Sequence, residues 1–191
     1  MNPKYILGLI GSPRIGGNTD FLVSEILKAS KETGVKIEKI YLNELKISPC
    51  QGCDHCKTYT TCAQKDDMQS LYRKIHKANG IVLGTPTYFG QETAQTKIFI
   101  DRLYALLDKD FNSRIKNRKT GAFVFIWAES SRSYAEHRKP VIEFLSAILQ
   151  HRLKAKIVGR IIGGGVSSIG DAAGNKKMVR KARVIGKKLG R

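Results

Sequence analysis

The sequence predicts a doubly wound α/β domain, in which helices cover both faces of a five-stranded parallel sheet. Its 191 residues correspond to about one domain, and 41% hydrophobic with 26% charged residues is the composition of a globular protein. Five short apolar runs alternate with segments of helical periodicity, and this alternation is typical of a parallel sheet covered by helices. We therefore treat residues 1–191 as a single domain without repeats or linkers.

The apolar runs predict strands near residues 4–10, 36–42, 80–85, 121–127 and 155–163. Helical patterns cover residues 19–33, 66–78, 93–108 and a segment that begins at residue 134 or at Pro140. Gly34 marks the end of the first helix, and Pro140 suits a first helical turn. Five strands favour the flavodoxin-like strand order over the six-stranded dinucleotide-binding order. One loop, residues 43–65, interrupts the alternation, and a loop of this length in a compact domain is usually functional.

The charge is strongly basic and unevenly distributed. Against 16 acidic residues the chain has 34 Lys and Arg, a formal net charge of +18, and residues 101–191 carry most of the excess. Two clusters dominate, one formed by Arg114, Lys116, Arg118 and Lys119 and the other by the C-terminal tail from Lys176 to Arg191. Such a surface attracts an acidic protein, a phosphorylated cofactor or nucleic acid, and the alternative is a solvated basic helix face.

No segment has the roughly 18 consecutive apolar residues that a membrane span needs. The apolar run at residues 5–10 is shorter than the core of a signal peptide. We therefore expect a cytoplasmic protein without membrane contact. In a reducing cytosol, cysteines are more often metal ligands or redox groups than disulfides.

All cysteines of the chain lie in the loop 43–65, with the spacing C-x2-C-x2-C-x5-C. They are Cys50, Cys53, Cys56 and Cys62. A [4Fe-4S] cluster takes four cysteine thiolates, and three at this x2-x2 spacing form the run found in bacterial ferredoxins. Structural zinc usually takes two well-separated cysteine pairs, so zinc is the second interpretation and thiol redox chemistry the third. His55 lies inside the run, but four sulfurs complete a site, so we interpret it as an exposed loop histidine.

A glycine-rich turn, residues 11–19 with the sequence Gly-Ser-Pro-Arg-Ile-Gly-Gly-Asn-Thr, joins the first strand to the first helix. Its glycines let the backbone fold around an anion, and the N-terminus of the helix supplies unpaired N–H groups. Ser12, Asn18 and Thr19 can donate hydrogen bonds to phosphate oxygens, and Arg14 adds positive charge. The turn is neither a Walker A loop nor a G-x-G-x-x-G fingerprint. We expect a phosphate here; the alternative is an ordinary turn in which Asn18 or Thr19 caps the helix.

A second segment, Gly-Thr-Pro-Thr-Tyr-Phe-Gly at residues 84–90, follows the third predicted strand. In the predicted order the first and third strands are neighbours at the switch point, so this segment and the glycine-rich turn open into one crevice. The aromatic pair Tyr88 and Phe89 suits a flat ring ligand. The alternative is a hydrophobic corner that packs on the next helix.

Together, the glycine-rich turn, the Pro-Thr-Tyr-Phe-Gly segment and the compact four-cysteine loop between them resemble the iron-sulfur flavoprotein family, flavodoxin-like relatives of the NAD(P)H-dependent FMN reductases. The resemblance implies one FMN and one [4Fe-4S] cluster per subunit, in a homodimer or homotetramer. By the resemblance, the residues around the FMN phosphate are Ser12, Pro13, Arg14, Gly17, Asn18 and Thr19. Those along the ribityl chain and the ring are Pro86, Thr87, Tyr88, Phe89 and Gly90, and the four cysteines hold the cluster.

The resemblance is weaker after the fourth predicted strand. Many relatives have a glycine-rich turn against the flavin there, whereas this chain has bulkier side chains from Ala128 to Tyr134. Glu129 and Ser130 are the candidate flavin contacts in this segment. A later glycine-rich segment, residues 163–170, comes too late for the usual phosphate site, and we interpret it as a flexible loop or a subunit contact.

These features predict an FMN-dependent oxidoreductase that passes electrons from a one-electron donor through the cluster to FMN and on to an acceptor. As the resemblance also suggests, the basic half would attract an acidic donor such as ferredoxin. Two alternatives remain. The first is an NAD(P)H-dependent FMN or quinone reductase whose cysteine loop is structural or binds zinc. The second is a basic nucleic-acid-binding module, which the sequence favours less because its basic patches lack interleaved aromatic residues.

Overall fold

The computed structural model describes residues 3–130 and 136–191. Its strands form one parallel sheet in the order β2-β1-β3-β4-β5, which confirms the predicted flavodoxin-like order. The strands are β1 (Tyr5–Ile10), β2 (Lys36–Tyr41), β3 (Gly80–Pro86), β4 (Lys119–Ile126) and β5 (Ala155–Gly163). Each begins and ends within two residues of its predicted bounds.

Helices cover both faces of the sheet, as expected for parallel strands joined by crossovers. They are α1 (Asn18–Lys31), α2 (His55–Tyr59), α3 (Met68–Lys77), α4 (Ala94–Arg102), α5 (Lys139–Ala147), α6 (Asp171–Gly174) and α7 (Lys176–Gly190). Short 3-10 helices follow β2 (Leu42–Glu44) and α4 (Leu103–Leu106), and a π-helical turn follows α5 (Ile148–Arg152). None of the described helices combines the length and the apolarity that crossing a bilayer requires.

The structure refines the predicted helices in three places. The helix predicted over 93–108 ends at Arg102, where the chain tightens into the 3-10 helix. The fourth predicted helix begins at Lys139 with Pro140 in its first turn, whereas the alternative start at residue 134 lies outside the described residues. The cysteine loop contains the short helix α2, which periodicity did not predict; positive φ angles of 52° at Asp54 and 60° at Thr60 delimit it.

Two hydrophobic cores lie on opposite faces of the sheet. Leu7 and Leu9 of β1 pack on the same side as α3, α4 and α5, and Ile6 and Ile10 pack on the side of α1 and α7. This alternation follows from the two-residue repeat of a strand. Cys56 belongs to the first core, so the cysteine loop and the basic helix α7 lie on opposite faces of the sheet.

The two basic clusters differ in their surroundings. Lys119 is buried, and its Nζ donates to the carbonyl groups of His76 and Ala78 at the C-terminal end of α3. Burial lowers the pKa of Lys119. Arg114 donates through Nη1 to the carbonyl of Cys56 at 3.0 Å. Half of this cluster is therefore structural, in contrast to the patch expected from sequence, whereas all eight basic residues of the C-terminal tail are exposed.

Candidate functional site

The carboxyl ends of β1 and β3 meet in a tightly packed junction. The Gly11 N–H donates to the Gly84 carbonyl at 2.7 Å, and the Gly11 carbonyl accepts from Thr93 Oγ1 at 2.7 Å. Thr93 also caps α4, because its Oγ1 accepts from the Thr96 N–H. A Cβ at Gly11 would lie 1.8 Å from Thr96 Oγ1, so only glycine fits here. The glycine-rich turn and residues 86–90 leave this junction at the same edge of the sheet.

Asp20, in the first turn of α1, holds the glycine-rich turn in place. Its carboxylate accepts from the Gly16 N–H at 2.8 Å, Ser24 Oγ at 3.0 Å, Lys39 Nζ at 2.8 Å and Tyr41 Oη at 2.7 Å. Burial by itself raises the pKa of Asp20, but these hydrogen bonds, led by that from Lys39, bring it below its ordinary value. Sequence reasoning missed Asp20 because an acidic residue in a first helical turn is common in any helix.

The N-terminus of α1 is open to an anion. Gly17 is the N-cap, and no side chain caps it, so the alternative in which Asn18 or Thr19 caps the helix is wrong. The first N–H groups of a helix have no partner inside the helix and favour negative charge. Ser12 and Thr19 are buried beside this end, and Arg14 is exposed at its edge.

Asn18 has a different role in the structure from the one expected of it. Its Nδ2 donates to the carbonyl groups of Val166 at 3.1 Å and Ser168 at 2.8 Å, and its Oδ1 accepts from the Ala172 N–H at 3.1 Å. The side chain thus ties residues 166–168 to the turn, and its donation to a phosphate remains a prediction. From the sequence, residues 163–170 are interpreted as a loop that comes too late in the chain for the phosphate site. That interpretation is wrong in part, because Val166 and Ser167 of this segment line the inner cavity beside the glycine-rich turn.

Two adjoining cavities form one cleft along the carboxyl edge of the sheet. The inner cavity has a volume of about 170 Å³. The outer cavity has a volume of about 670 Å³, which lies within the range of ligand pockets. Predicted residues in the inner wall are Ser12, Arg14, Gly17, Asn18, Thr19, Pro86, Thr87 and Tyr88. Predicted residues in the outer wall are Thr87, Tyr88, Phe89, Gly90 and Glu129. The two sequence segments therefore meet as expected, and Thr87, Tyr88 and Ala128 belong to both walls.

Two predicted residues line neither cavity: Pro13 and Ser130, both of which are exposed. Of the bulky segment after β4, residues 131–134 lie outside the described residues. Glu129 does face the outer cavity, and its Oε2 accepts from Arg138 Nη2 at 3.2 Å. Phe89 is fully exposed at the mouth, with a φ of 48°. The outer cavity is therefore bordered by an aromatic ring that water reaches.

Sequence reasoning missed several residues of the cleft, namely Ile126, Trp127, Ala128, His137, Arg138, Val166 and Ser167. Trp127 directly follows β4 and is 6% exposed, and its Nε1–H has no acceptor among the described residues. The Arg138 guanidinium lies 4.8 Å from the centre of its ring. A buried donor without a partner is costly, and a bound ligand offers one acceptor for it. The position of Trp127 at a strand end is the only sequence signal that could have identified it.

The cleft fits FMN on these observations. At its inner end, hydroxyl groups, an arginine and an uncapped helix N-terminus suit a phosphate. At its outer end, Tyr88 and Phe89 suit a flat ring.

The four cysteines line one cavity on the face of α3 and α4. None is in a disulfide; Cys53 is exposed, Cys56 is buried, and Cys50 and Cys62 are half-buried. Burial raises the pKa of the Cys56 thiol. In the described ranges, no three His, Cys, Asp or Glu side chains converge at the geometry of a single metal ion. The cavity is thus a gathering of four free thiols, which is the donor set that an iron-sulfur cluster takes.

Three cationic side chains hold the cysteine loop against the domain. Lys57 Nζ donates to the carbonyl groups of Tyr104 and Leu107 and lies 3.5 Å from the centre of the Tyr104 ring. Burial lowers the pKa of Lys57. Arg114 donates to the Cys56 carbonyl, and Arg102 Nη2 donates to Cys62 Sγ at 3.4 Å. Of these three cations, Arg102 lines the cavity where four thiolates would lie.

Comparison with known proteins supports FMN as the cofactor of this fold. A family model for NADPH-dependent FMN reductase matches residues 5–156. An iron-sulfur flavoprotein of Archaeoglobus fulgidus is 31% identical over 188 residues, which cover 96% of this chain and 77% of that protein. An iron-sulfur flavoprotein of Methanocaldococcus jannaschii is 43% identical over 97 residues, but these cover only 51% of this chain and 50% of that protein.

A solved structure shows the same fold over the whole chain. NAD(P)H:quinone oxidoreductase from Methanothermobacter marburgensis superposes with a TM-score of 0.76 and 15% sequence identity, covering 99% of this chain and 98% of that one. At this identity the likeness concerns the fold alone. The family match and the full-length relative go further: the chain belongs to the NADPH-dependent FMN reductase family, among the iron-sulfur flavoproteins.

Proposed function

We propose that this protein is an FMN-dependent oxidoreductase that transfers electrons between a [4Fe-4S] cluster on its cysteine loop and FMN in its cleft. The observation that carries the proposal is the placement of the two sites at opposite ends of α4. The loop that lines the cleft leads into α4 at Ala94, and the cysteine cavity includes Arg102 at its other end. Nine helical residues span about 14 Å. The helix therefore connects the segment that follows the cleft to the cysteine cavity within one subunit.

FMN accepts one or two electrons and a [4Fe-4S] cluster accepts one, so together they join single-electron donation to delivery in pairs. In the cleft, Ser12, Thr19 and the α1 N-terminus would bind the phosphate, with Arg14 adding charge. Tyr88 and Phe89 would contact the ring at the open mouth. In the loop, Cys50, Cys53, Cys56 and Cys62 would hold the cluster. A cluster binds each thiolate through a different iron atom, so the four sulfurs need not converge on one ion.

We further propose that an acidic one-electron donor such as ferredoxin docks beside the cysteine loop. Cys53 is exposed, so this edge of the site is open to a partner. The basic helix α7 lies on the opposite sheet face, so docking here depends on basic residues near the loop. Exposed Lys65 lies near the end of the loop, and exposed Lys109 lies in the segment that packs against Lys57. The residues that line the cleft and those that line the cysteine cavity come from one chain. Assembly as a homodimer or homotetramer remains a prediction.

A direct test is anaerobic purification followed by analysis of iron, acid-labile sulfide, zinc and flavin. We expect bound FMN, and we expect iron and acid-labile sulfide in amounts equal to each other. Cys53→Ala should abolish the iron and sulfide while FMN stays bound, because the two sites lie on different loops. Thr58→Ala removes an exposed hydroxyl from α2 and serves as the matched control. Zinc without sulfide would contradict the cluster, and loss of FMN in Cys53→Ala would contradict the separation of the sites.

A second candidate function, direct reduction of the flavin by NADPH, is favoured by the family match and by the open mouth at Phe89. The two functions differ in what reduces bound FMN. Rapid anaerobic bleaching by NADPH, with reduced ferredoxin inert, would support the second function. Bleaching by reduced ferredoxin that disappears in Cys53→Ala would support the first.

A further inference from the structure

Arg102, the last residue of α4, is almost completely buried at 1% exposure. Burial of a guanidinium is costly unless strong hydrogen bonds compensate for its lost hydration. It is the largest fully buried side chain among the described residues. Its position at the end of the helix that connects the two sites calls for an explanation.

The guanidinium joins both ends of the cysteine loop. Its Nη1 donates to Asp66 Oδ2 at 2.5 Å and to the Ser48 carbonyl at 2.7 Å. Its Nη2 donates to Asp66 Oδ1 at 3.0 Å and to Cys62 Sγ at 3.4 Å. Ser48 precedes the first cysteine and Asp66 follows the last. The backbone carbonyl of Arg102 also accepts from Tyr72 Oη at 2.6 Å, which anchors this end of α4 to α3.

A purely structural role does not account for the contact with sulfur. The bidentate pair with Asp66 and the bond to Ser48 already attach the loop, and replacing a buried ion pair by apolar residues is often neutral for stability. The Nε–H of Arg102 is buried without an acceptor among the described residues, which is a further cost. Within the described ranges, Cys62 is the one cysteine whose sulfur accepts a side-chain hydrogen bond. The cation is therefore directed at one particular ligand.

We propose that Arg102 is a positioning residue that orients Cys62 and raises the reduction potential of the cluster. This inference rests on the proposed function. A cluster carries one more negative charge after reduction, so a cation that donates to a ligand sulfur stabilises the reduced form. Asp66 opposes this effect, because it shares Nη2 with Cys62 and neutralises the guanidinium. The balance between Arg102 and Asp66 thus sets how readily the cluster accepts an electron.

The test is the reduction potential of the cluster, measured anaerobically by electron paramagnetic resonance with the flavin potential of the same sample as internal reference. Arg102→Gln removes the charge, and we expect a tenfold or greater fall in the equilibrium constant for reduction, which is 59 mV for a one-electron couple. Asp66→Asn removes the carboxylate charge and keeps one oxygen that accepts from either the Ser48 or the Met68 N–H group, which donate to different oxygens of Asp66. It should shift the potential in the opposite direction. Arg102→Lys, which restores a charge without the planar fork, should fall between Arg102→Gln and the wild type. Arg73→Gln, at an exposed arginine on α3, is the control and should shift neither potential.

Shifts of opposite sign, with an unchanged flavin potential, would support the inference, because loss of structural integrity alone would not raise the potential in one variant and lower it in the other. An unshifted cluster in a fully loaded Arg102→Gln protein would overturn it. If Arg102→Gln cannot be loaded, an unshifted or lowered potential in Asp66→Asn would overturn it equally. A wild-type protein without iron and sulfide would instead contradict the proposed function, and this inference with it.

Discussion

Asp20 offers the sharpest test of how the glycine-rich turn is held. The substitution Asp20→Asn keeps the size of the side chain but removes its charge. Two donors, Gly16 and Tyr41, meet Oδ2, and two others, Ser24 and Lys39, meet Oδ1. An asparagine presents one oxygen, so whichever way its amide is oriented it places an NH2 group against one of these pairs.

The magnitude follows from these contacts. A hydrogen bond to a charged group contributes about 1.5–3 kcal/mol and a neutral one about 1 kcal/mol. The side chain is 6% exposed, so water does not replace the lost partners. We therefore expect Asp20→Asn to cost about 3 kcal/mol, a fall in Tm of about 6–12 °C for a chain of this length.

The assay is thermal unfolding of the apo-protein at pH 7, followed by circular dichroism. Asp101→Asn is the matched control, because Asp101 pairs with Lys97 on the surface of α4, with side chains 42% and 51% exposed. Such a pair is worth about 0.3–0.5 kcal/mol, so its loss should lower Tm by about 1–2 °C. Equal values of Tm for the two variants would refute the role assigned to Asp20.

The pH dependence checks the sign of the same effect. The pKa of Asp20 is lower in the folded protein than its ordinary value, so the unfolded chain takes up the proton first as the pH falls. The charged carboxylate therefore stabilises the fold fully above the unfolded pKa of about 3.9 and progressively less below it. The difference in Tm between wild type and Asp20→Asn should shrink as the pH falls below about 4. A difference that grew in acid would contradict the assigned hydrogen bonds.

Two further predictions concern the cleft and the packing beneath it. Arg14→Gln should weaken the binding of FMN by about 10-fold or more and leave the binding of riboflavin nearly unchanged, because only FMN carries the phosphate. Asn18→Ala should weaken the binding of both flavins equally, because it releases residues 166–168 from the cleft wall. Flavin fluorescence titration measures both affinities, and a preference of the Asn18→Ala protein for riboflavin would instead make Asn18 a phosphate ligand. Gly186→Ala should lower Tm by several degrees through overpacking that costs about 1–3 kcal/mol, because the added Cβ would lie 2.3 Å from the Ile26 carbonyl oxygen of α1. Gly174→Ala, which meets no atom within 4 Å, should change Tm little, and equal losses in the two glycine variants would contradict the close contact of α1 and α7.

The fold and the position of the cleft could be predicted because they depend on local pattern. Apolar runs at strand length, helical periodicity and the glycine-rich turn are all properties of neighbouring residues, and the order of a parallel sheet brings the ends of β1 and β3 together. The four-cysteine spacing likewise indicated a shared site from one short segment. The strand bounds needed changes of at most two residues for this reason.

The contacts of individual side chains depend on residues far apart in the chain, and no local pattern contains them. The sequence predicts that Asn18 donates to a phosphate, but in the structure its amide forms hydrogen bonds with residues 166–172, about 150 positions away. The sequence predicts that Lys119 is a surface charge, but in the structure it is buried against the end of α3. Arg102 lies 36 residues from Asp66 and 40 from Cys62, and only their packing makes it a neighbour of a thiol. Local sequence thus specified the backbone elements and their chemistry. The partners of buried polar groups were decided only when distant segments packed against each other. The reason is that a buried donor or charge is costly without a partner, and that partner can come from any part of the chain.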